Sequence, residues 1–263
     1  MFTLNQIRTS LGLTEHQGQP EHLLTEYLQC QLLDSLFLQE SSKHLSFIGG
    51  TAIRIVYGGS RFSEDLDFDN FGLSFQDFQD LISETMSDMR QKGYEVDGRF
   101  VEKDAFHCYI KFPKILFDHG LSPMQTENIL IRIDTVKKDR IITPQPFILN
   151  RFDVYRTVIV NPVTIILSQK LIAILGRKRE KGRDFFDVSF LWGQTEPDFH
   201  YIEAVTGMGR DAFFVALQDR CANLSFSILA NDVEPFLIYP EQKNRVTDFF
   251  AFLEQKIEAM KNG

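Results

Sequence analysis

Between residues 21 and 39, apolar side chains recur at Leu24, Leu28, Leu32 and Leu36, with Tyr27 and Leu33 beside them. Spacings of three and four put these on one side of a helix. Residues 45–48 form a short apolar run that predicts a strand stopping at Gly49-Gly50. Residues 51–57 then read as the opening turns of a helix, closed by Gly58-Gly59. Acid and apolar residues alternate over 65–69, the period of a second strand. Ser74 is placed to cap a helix over 75–91 that ends at Gly93. β-branched and aromatic residues predict further strands over 94–101, 106–112 and 129–136. Asn161-Pro162 has the form of a helix start, with Asn as cap and Pro in the first turn. Beyond it the pattern is mainly helical, with breaks near Gly182, residues 193–197, residues 207–209 and Pro240. The expected division is a mixed α/β half, residues 1–150, and a mainly helical half, residues 151–263.

Composition narrows the class. With 263 residues, 43% of them hydrophobic, and 25 Phe, the chain can bury one large or two modest cores. A formal charge of −8 does not describe a protein coated for nucleic acid, so any such contact must be a local basic patch. Residues 177–183, RKREKGR, are the one dense basic run; they suit a solvated helix end or an RNA backbone. Cys30, Cys108 and Cys221 are scattered and lack metal-ligand spacing, which favours a reducing, cytoplasmic setting. The opening residues carry no charged-then-apolar signal pattern. The apolar region 157–175 is interrupted by Asn161, Pro162, Gln169 and Lys170, so no membrane span is expected. His44, His107, His119 and His200 stand alone, without zinc spacing, and no GxSxG nucleophile turn occurs.

The chemistry concentrates in residues 47–69, FIGGTAIRIVYGGSRFSEDLDFD. In a strand, Asp65 and Asp67 project from one face while Leu66 and Phe68 enter a core. Neighbouring carboxylates repel unless a cation sits between them, and hard oxygen ligands suit Mg²⁺ or Mn²⁺. Gly49-Gly50-Thr51, one helix's length upstream, offers backbone N–H groups and a hydroxyl to a phosphate. A phosphate cradle beside a divalent-metal site implies nucleotide chemistry. Asp69 shares the parity of Asp65 and Asp67, and only the spacing from Gly-Gly-Thr favours the first two. Gly58-Gly59-Ser60 lies too close to Asp65 for an intervening helix and reads as a turn.

Gly49-Gly50-Thr51 followed by residues 61–68, RFSEDLDF, resembles the polymerase-beta-type nucleotidyltransferase superfamily. Within it the chain is most similar to the AbiEii/AbiGii-type toxin branch. A second motif of that branch is matched by Lys170, Ala173, Arg177, Arg183, Asp184 and Asp187. The two matches cover about residues 45–70 and 163–192; between them only the pattern is shared. The resemblance implies a polymerase-beta-like mixed-sheet core, with a helical C-terminal domain that completes the active site: α/β plus α. It implies transfer of a nucleoside monophosphate from an NTP to an acceptor hydroxyl, with the 3′ end of a tRNA as acceptor and a cognate antitoxin as partner. By the same resemblance Asp134 is the third metal or base carboxylate beside Asp65 and Asp67. Lys170 and Asp187 belong to the active site, and Gly49, Gly50, Thr51, Arg61, Ser63 and Lys170 serve the nucleotide.

Each assignment has a plainer counterpart. Asp134 can pair with Arg132 or Lys137, and Lys170 can reach the surface along its stem. Asp184 and Asp187 can be members of helix-surface ion pairs, and Arg61 can stabilise its own loop. Lys261 serves as the comparison surface lysine. Two other functions compete: nucleotidyl transfer to a protein or small molecule, and a catalytically inactive module that binds nucleotide or antitoxin. Residues 196–263 carry no recognisable chemistry.

Overall fold

A computed structural model describes residues 1–139 and 142–262, the last two without their side chains, so the Lys261 side chain lies outside the described residues. The chain divides into two compact units, residues 1–58 with 62–161, and residues 59–61 with 162–263.

The first unit is built on a seven-stranded mixed sheet in the order β3-β4-β5-β2-β1-β7-β6. Its strands are β1 (Leu45–Ile48), β2 (Leu66–Asn70), β3 (Asp97–Glu102), β4 (Phe106–Pro113), β5 (Asn128–Lys137), β6 (Gln145–Arg151) and β7 (Val154–Val160). The β1/β7 and β2/β5 pairs are parallel and the others antiparallel. Its helices are α1 (Leu4–Ser10), α2 (Pro20–Leu36), α3 (Gly49–Ile55), α4 (Phe75–Gln91) and the single turn α5 (Ile115–Asp118).

Strand alternation decides what each face does. Phe47, Phe68, Cys108, Ile110, Ile131, Ile133 and Val160 share one face and are buried. Helices α2 and α4 cover it, with Asp34 of α2 paired to Arg156 at 2.8 Å and Phe78 of α4 against Phe106. The other face carries Asp67, His107, Arg132 and Asp134, all partly exposed. Helix α4 begins as expected: the Ser74 hydroxyl accepts the Asp77 N–H at 3.1 Å, and the Asp77 carboxylate accepts the Ser74 N–H at 3.0 Å. These reciprocal bonds satisfy two N–H groups that a helix start leaves without partners. Helix α2 is buried nearly all round, so its polar residues need partners. Glu26 takes Arg54 at 2.8 Å and also Arg151, and Gln31 takes Asp153 at 2.6 Å.

Three features depart from the sequence expectation. The hairpin β6–β7 is not foreshadowed by the pattern, and it carries the first unit's sheet to residue 160, past the expected division at 150. Its two-residue turn is Phe152-Asp153, with Phe152 at φ 57°, so the Asn-Gly signal of such turns is absent. Asn161 is not a helix cap. Its side chain accepts the Ser46 hydroxyl at 2.6 Å and donates to Asp69 at 2.7 Å, while Pro162 takes the cap position. The N-terminal α1 is an addition too, although Thr3 and Gln6 form its capping box.

The second unit is helical. It contains α6 (Val163–Gly176), α7 (Gly182–Leu191), α8 (Phe199–Thr206), α9 (Arg210–Cys221), α10 (Phe226–Val233), the short α11 (Asn244–Thr247) and α12 (Phe249–Asn262). The breaks fall close to where the glycines and prolines place them. Its core is aromatic, with Phe185 against Phe249 at 4.9 Å between ring centres and Trp192 stacked on Phe214. Gly182 lets α7 touch α10, because any Cβ there would overlap the Leu229 carbonyl. Residues 59–61 join this unit through the Ile238 N–H, which donates to the Ser60 carbonyl at 3.1 Å, and through a bridge between Arg61 and Leu237. Among the described residues no helix is long and apolar enough to cross a membrane.

Candidate active site

Strand pairing assembles the carboxylates of the first unit. In the parallel β2/β5 pair, Asp67 lies opposite Asp134. Residues directly opposite on paired strands project from the same face. Asp65 precedes β2 by one residue and is partly exposed, as Asp67 is. Leu66 and Phe68, between and after them, are buried as the alternation predicts.

The approach to Asp67 depends on Gly49. That residue has φ 77°, a conformation costly for side chains other than glycine. A Cβ on it would lie 2.9 Å from the Asp67 Cβ and closer still to a carboxylate oxygen. The glycine therefore leaves room for the carboxylate beside the start of α3. Gly50 follows it and is buried. Thr51 is fully buried, and its hydroxyl donates to the Asp65 backbone carbonyl. The hydroxyl, expected at a phosphate, makes an internal contact here that ties α3 to the segment entering β2. Ser63 is partly exposed, and its carbonyl accepts the Gln29 side-chain amide at 2.9 Å.

Two residues join the carboxylates to which the sequence pattern assigns no functional role. The Arg132 guanidinium donates to Asp65 at 2.8 Å and pairs with Asp134 at 2.9 Å. Burial acts to lower its pKa, but the attraction of Asp65 and Asp134, with a contribution from Asp67, outweighs this and raises it. His107, opposite Asp134 on β4, places Nδ1 2.7 Å from an Asp134 carboxylate oxygen. Alternation in β4 is the signal that could flag it, since His107, Tyr109 and Lys111 face away from the buried Cys108, Ile110 and Phe112. Nothing local, however, says that β4 lies beside β5. The plainer reading of Asp134, a pair with Arg132, is therefore present together with the register that sets it against Asp67.

Asp69 has a different environment. It is 2% exposed and accepts from Asn161 at 2.7 Å. Among the described residues, no three histidine, cysteine, aspartate or glutamate side chains are arranged to hold a metal ion as they stand. The donor set of Asp65, Asp67 and Asp134 nevertheless has the hard-oxygen chemistry of a Mg²⁺ or Mn²⁺ site, and the clearance left by Gly49 lies beside one of these carboxylates.

The second unit gathers the other motif. Lys170 on α6 places its ammonium 2.9 Å from Asp184 and 2.8 Å from Asp187, both on α7 and both 1% exposed. Arg61 grips Asp187 through two bonds, Nε at 2.7 Å and Nη2 at 2.6 Å. Arg177 closes the group at 2.8 Å from Asp184. Burial pushes the Lys170 pKa down, but Asp184 and Asp187 prevail and raise it. Burial pushes the Asp187 pKa up, but Arg61 and Lys170 prevail and lower it. Asp184 and Asp187 are thus members of a buried network, not of a helix-surface pair. Arg61, expected at the nucleotide, is 3% exposed and engaged with Asp187. The Lys170 side chain is 11% exposed, with its ammonium held by the two carboxylates instead of extended along the surface.

A mixed sheet with paired carboxylates beside a glycine turn, followed by a helical unit, defines a nucleotidyltransferase fold. The chain matches the family described as nucleotidyl transferase AbiEii toxin, type IV TA system, over residues 31–260, and it belongs to that family. It is accordingly an enzyme of the nucleotidyltransferase class, and a toxin of a type IV toxin–antitoxin system. Several solved structures share the fold. JHP933 from Helicobacter pylori has a TM-score of 0.56 at 17% identity, covering 93% of this chain and 96% of that one. MenT4, the nucleotidyltransferase toxin Rv2826c from Mycobacterium tuberculosis H37Rv, has a TM-score of 0.57 at 16% identity, covering 97% and 90%. No curated protein matches the chain by sequence.

Proposed function

We propose that the protein transfers a nucleoside monophosphate from an NTP to the 3′-terminal hydroxyl of a tRNA in the cytoplasm, releasing pyrophosphate, and that a cognate antitoxin restrains it. The observation that carries this reading is the register of Asp67 against Asp134, with Asp65 two residues before Asp67. Asp65, Asp67 and Asp134 are the residues that would hold Mg²⁺ or Mn²⁺, which supplies charge stabilisation to triphosphate and acceptor oxygens when bound. Gly49 brings backbone close to Asp67, and Gly49 and Gly50 are assigned to the nucleotide's phosphates, with Ser63 near the entrance to β2. His107 holds the Asp134 carboxylate in one orientation, which suits a group that must receive the acceptor's proton. Lys170, kept charged by Asp184 and Asp187, is assigned to the negative charge that develops on the leaving pyrophosphate. Arg61 is assigned to positioning Asp187.

The test is incubation of the protein with each α-³²P-labelled NTP, Mg²⁺ and total cell RNA and protein. Label in an RNase-sensitive band of tRNA size, absent with Asp67→Ala, is expected. The net charge of −8 leaves room for the competing reading, transfer to a protein or small molecule. Label that resists RNase would decide for it. Turnover unchanged in Asp67→Ala would remove the proposed site altogether.

A further inference from the structure

Three carboxylates within one patch of a sheet repel one another, and the fold must answer that repulsion whether or not a metal is bound. The answer is visible in Arg132. It stands on β5 two residues before Asp134, so alternation puts both on the same face. Its neighbours in sequence, Ile131 and Ile133, are buried at 0% exposure, which pins the strand and leaves the arginine no alternative face. One edge of the guanidinium meets Asp65 at 2.8 Å and another meets Asp134 at 2.9 Å. The planar guanidinium fork hydrogen-bonds Asp65, while its Nε lies in ion-pair contact with Asp134 without a hydrogen bond of its own. A compact lysine ammonium does not reproduce that spread of charge over two carboxylates.

We propose that Arg132 is an exchangeable internal counter-ion, holding Asp65 and Asp134 together in the metal-free protein and giving way when a divalent cation takes its place. This rests on the metal-site reading above. The carboxylate oxygens that the guanidinium engages on Asp65 and Asp134 are the hard-oxygen donors a divalent cation would take, so the two compete for them. Loading therefore replaces one charged partner by another. The side chain is 36% exposed, so a swing into solvent or towards an incoming phosphate needs no repacking of the core. The arrangement has two consequences. The site stays ordered without metal, and intrinsic metal affinity is held down until a ligand offers the guanidinium another anion.

Mn²⁺ binding by titration calorimetry, with thermal unfolding in EDTA and in Mn²⁺, tests this on the full-length wild type, Arg132→Gln, Arg132→Lys and Asp67→Asn. Removing a competing unit charge at ion-pair distance should tighten Mn²⁺ binding in Arg132→Gln by about tenfold or more. Its melting temperature should fall in EDTA, and its stabilisation by Mn²⁺ should exceed that of wild type. Arg132→Lys, which keeps the charge without the fork, should bind with intermediate affinity and decides the matter if the glutamine variant does not fold. Equal or weaker Mn²⁺ binding in these variants, with wild type binding and Asp67→Asn not, would overturn the counter-ion role while leaving the metal site standing. Absence of Mn²⁺ binding in wild type and variants alike would overturn both.

Discussion

Asp67 and Asp134 face each other across two parallel strands, although α4, β3, β4 and α5 intervene between those strands in the chain. Each is flanked by buried apolar residues, Leu66 and Phe68 on one strand and Ile133 on the other. The core therefore determines the direction of both carboxylates. A site built this way is rigid because the side chains next to it are packed.

The first prediction concerns that pair. Asp67→Ala removes a carboxylate whose neighbours stay buried, so the fold should survive, with circular dichroism and melting temperature near wild type. Transfer should drop by at least about a hundredfold, since charge stabilisation at a phosphoryl centre contributes several kcal/mol. Activity within tenfold of wild type would contradict the assignment.

Gly49 and Gly58 offer a controlled comparison, with φ 77° and 73° respectively. A Cβ at Gly58 meets nothing within 4 Å, whereas one at Gly49 runs into Asp67. Gly58→Ala should cost about 1–2 kcal/mol from backbone strain alone and leave transfer intact. Gly49→Ala should cost more and also suppress transfer by displacing the carboxylate. Equal effects on activity would mean that the clearance beside Asp67 has no role.

Asp69 separates a structural acid from the proposed metal ligands. Asp69→Asn should lower stability by about 1–3 kcal/mol through its buried bond to Asn161, as expected for a hydrogen bond to a charged group. Mn²⁺ affinity should remain near wild type, as read by calorimetry. Loss of Mn²⁺ binding would enlarge the ligand set to include Asp69.

The Lys170 network should be felt in stability as well as in catalysis. Lys170→Ala leaves Asp184 and Asp187 short of a buried cation, a change that costs roughly 3–5 kcal/mol in comparable pairs. It should also weaken NTP use more than Lys178→Ala, a change at an exposed lysine. Denaturant melts and initial rates over a range of NTP concentrations distinguish the two effects. Indistinguishable rates for the two variants would leave Lys170 a structural role only.

The same network sets a pH window. Asp187 is held below its ordinary 3.8, because Arg61 and Lys170 outweigh the upward push of burial. Its contribution is complete above that value and is lost as pH falls through the lowered one. Lys170 is held above its ordinary 10.5, with Asp184 and Asp187 outweighing the downward push of burial. Its contribution is complete below 10.5 and is lost as pH rises through the raised value. Asp187→Asn should flatten the acid limb of a stability–pH curve, measured by urea melts down to about pH 3. Superimposable acid limbs would contradict the pairing.

Features that depend on nearest neighbours are legible in the amino-acid sequence. The capping of α4 by Ser74 needs only Asp77 three residues on, and the strand at Leu66–Asn70 needs only alternation. The Gly-Gly turn before α3 and the glycine and proline breaks of the helical unit are likewise local. The β6–β7 hairpin is hidden because its turn uses Phe152 at positive φ and no glycine.

The chain by itself determined a metal-suited Asp-x-Asp beside a glycine turn, an α/β half and a helical half, because periodicity, capping and turn chemistry act over a few residues. Only the tertiary structure decided which residues meet those carboxylates and which leave them. Strand order set Asp134 and Arg132 beside Asp65 and Asp67, put His107 against Asp134 and sent Asp69 to Asn161, while packing of the helical unit buried Arg61 on Asp187. The physical reason is that side-chain alternation tells a residue which face it takes, but not which strand lies beside it. Register between distant strands is set by how the whole apolar face packs, and the partners of a charge follow from that register.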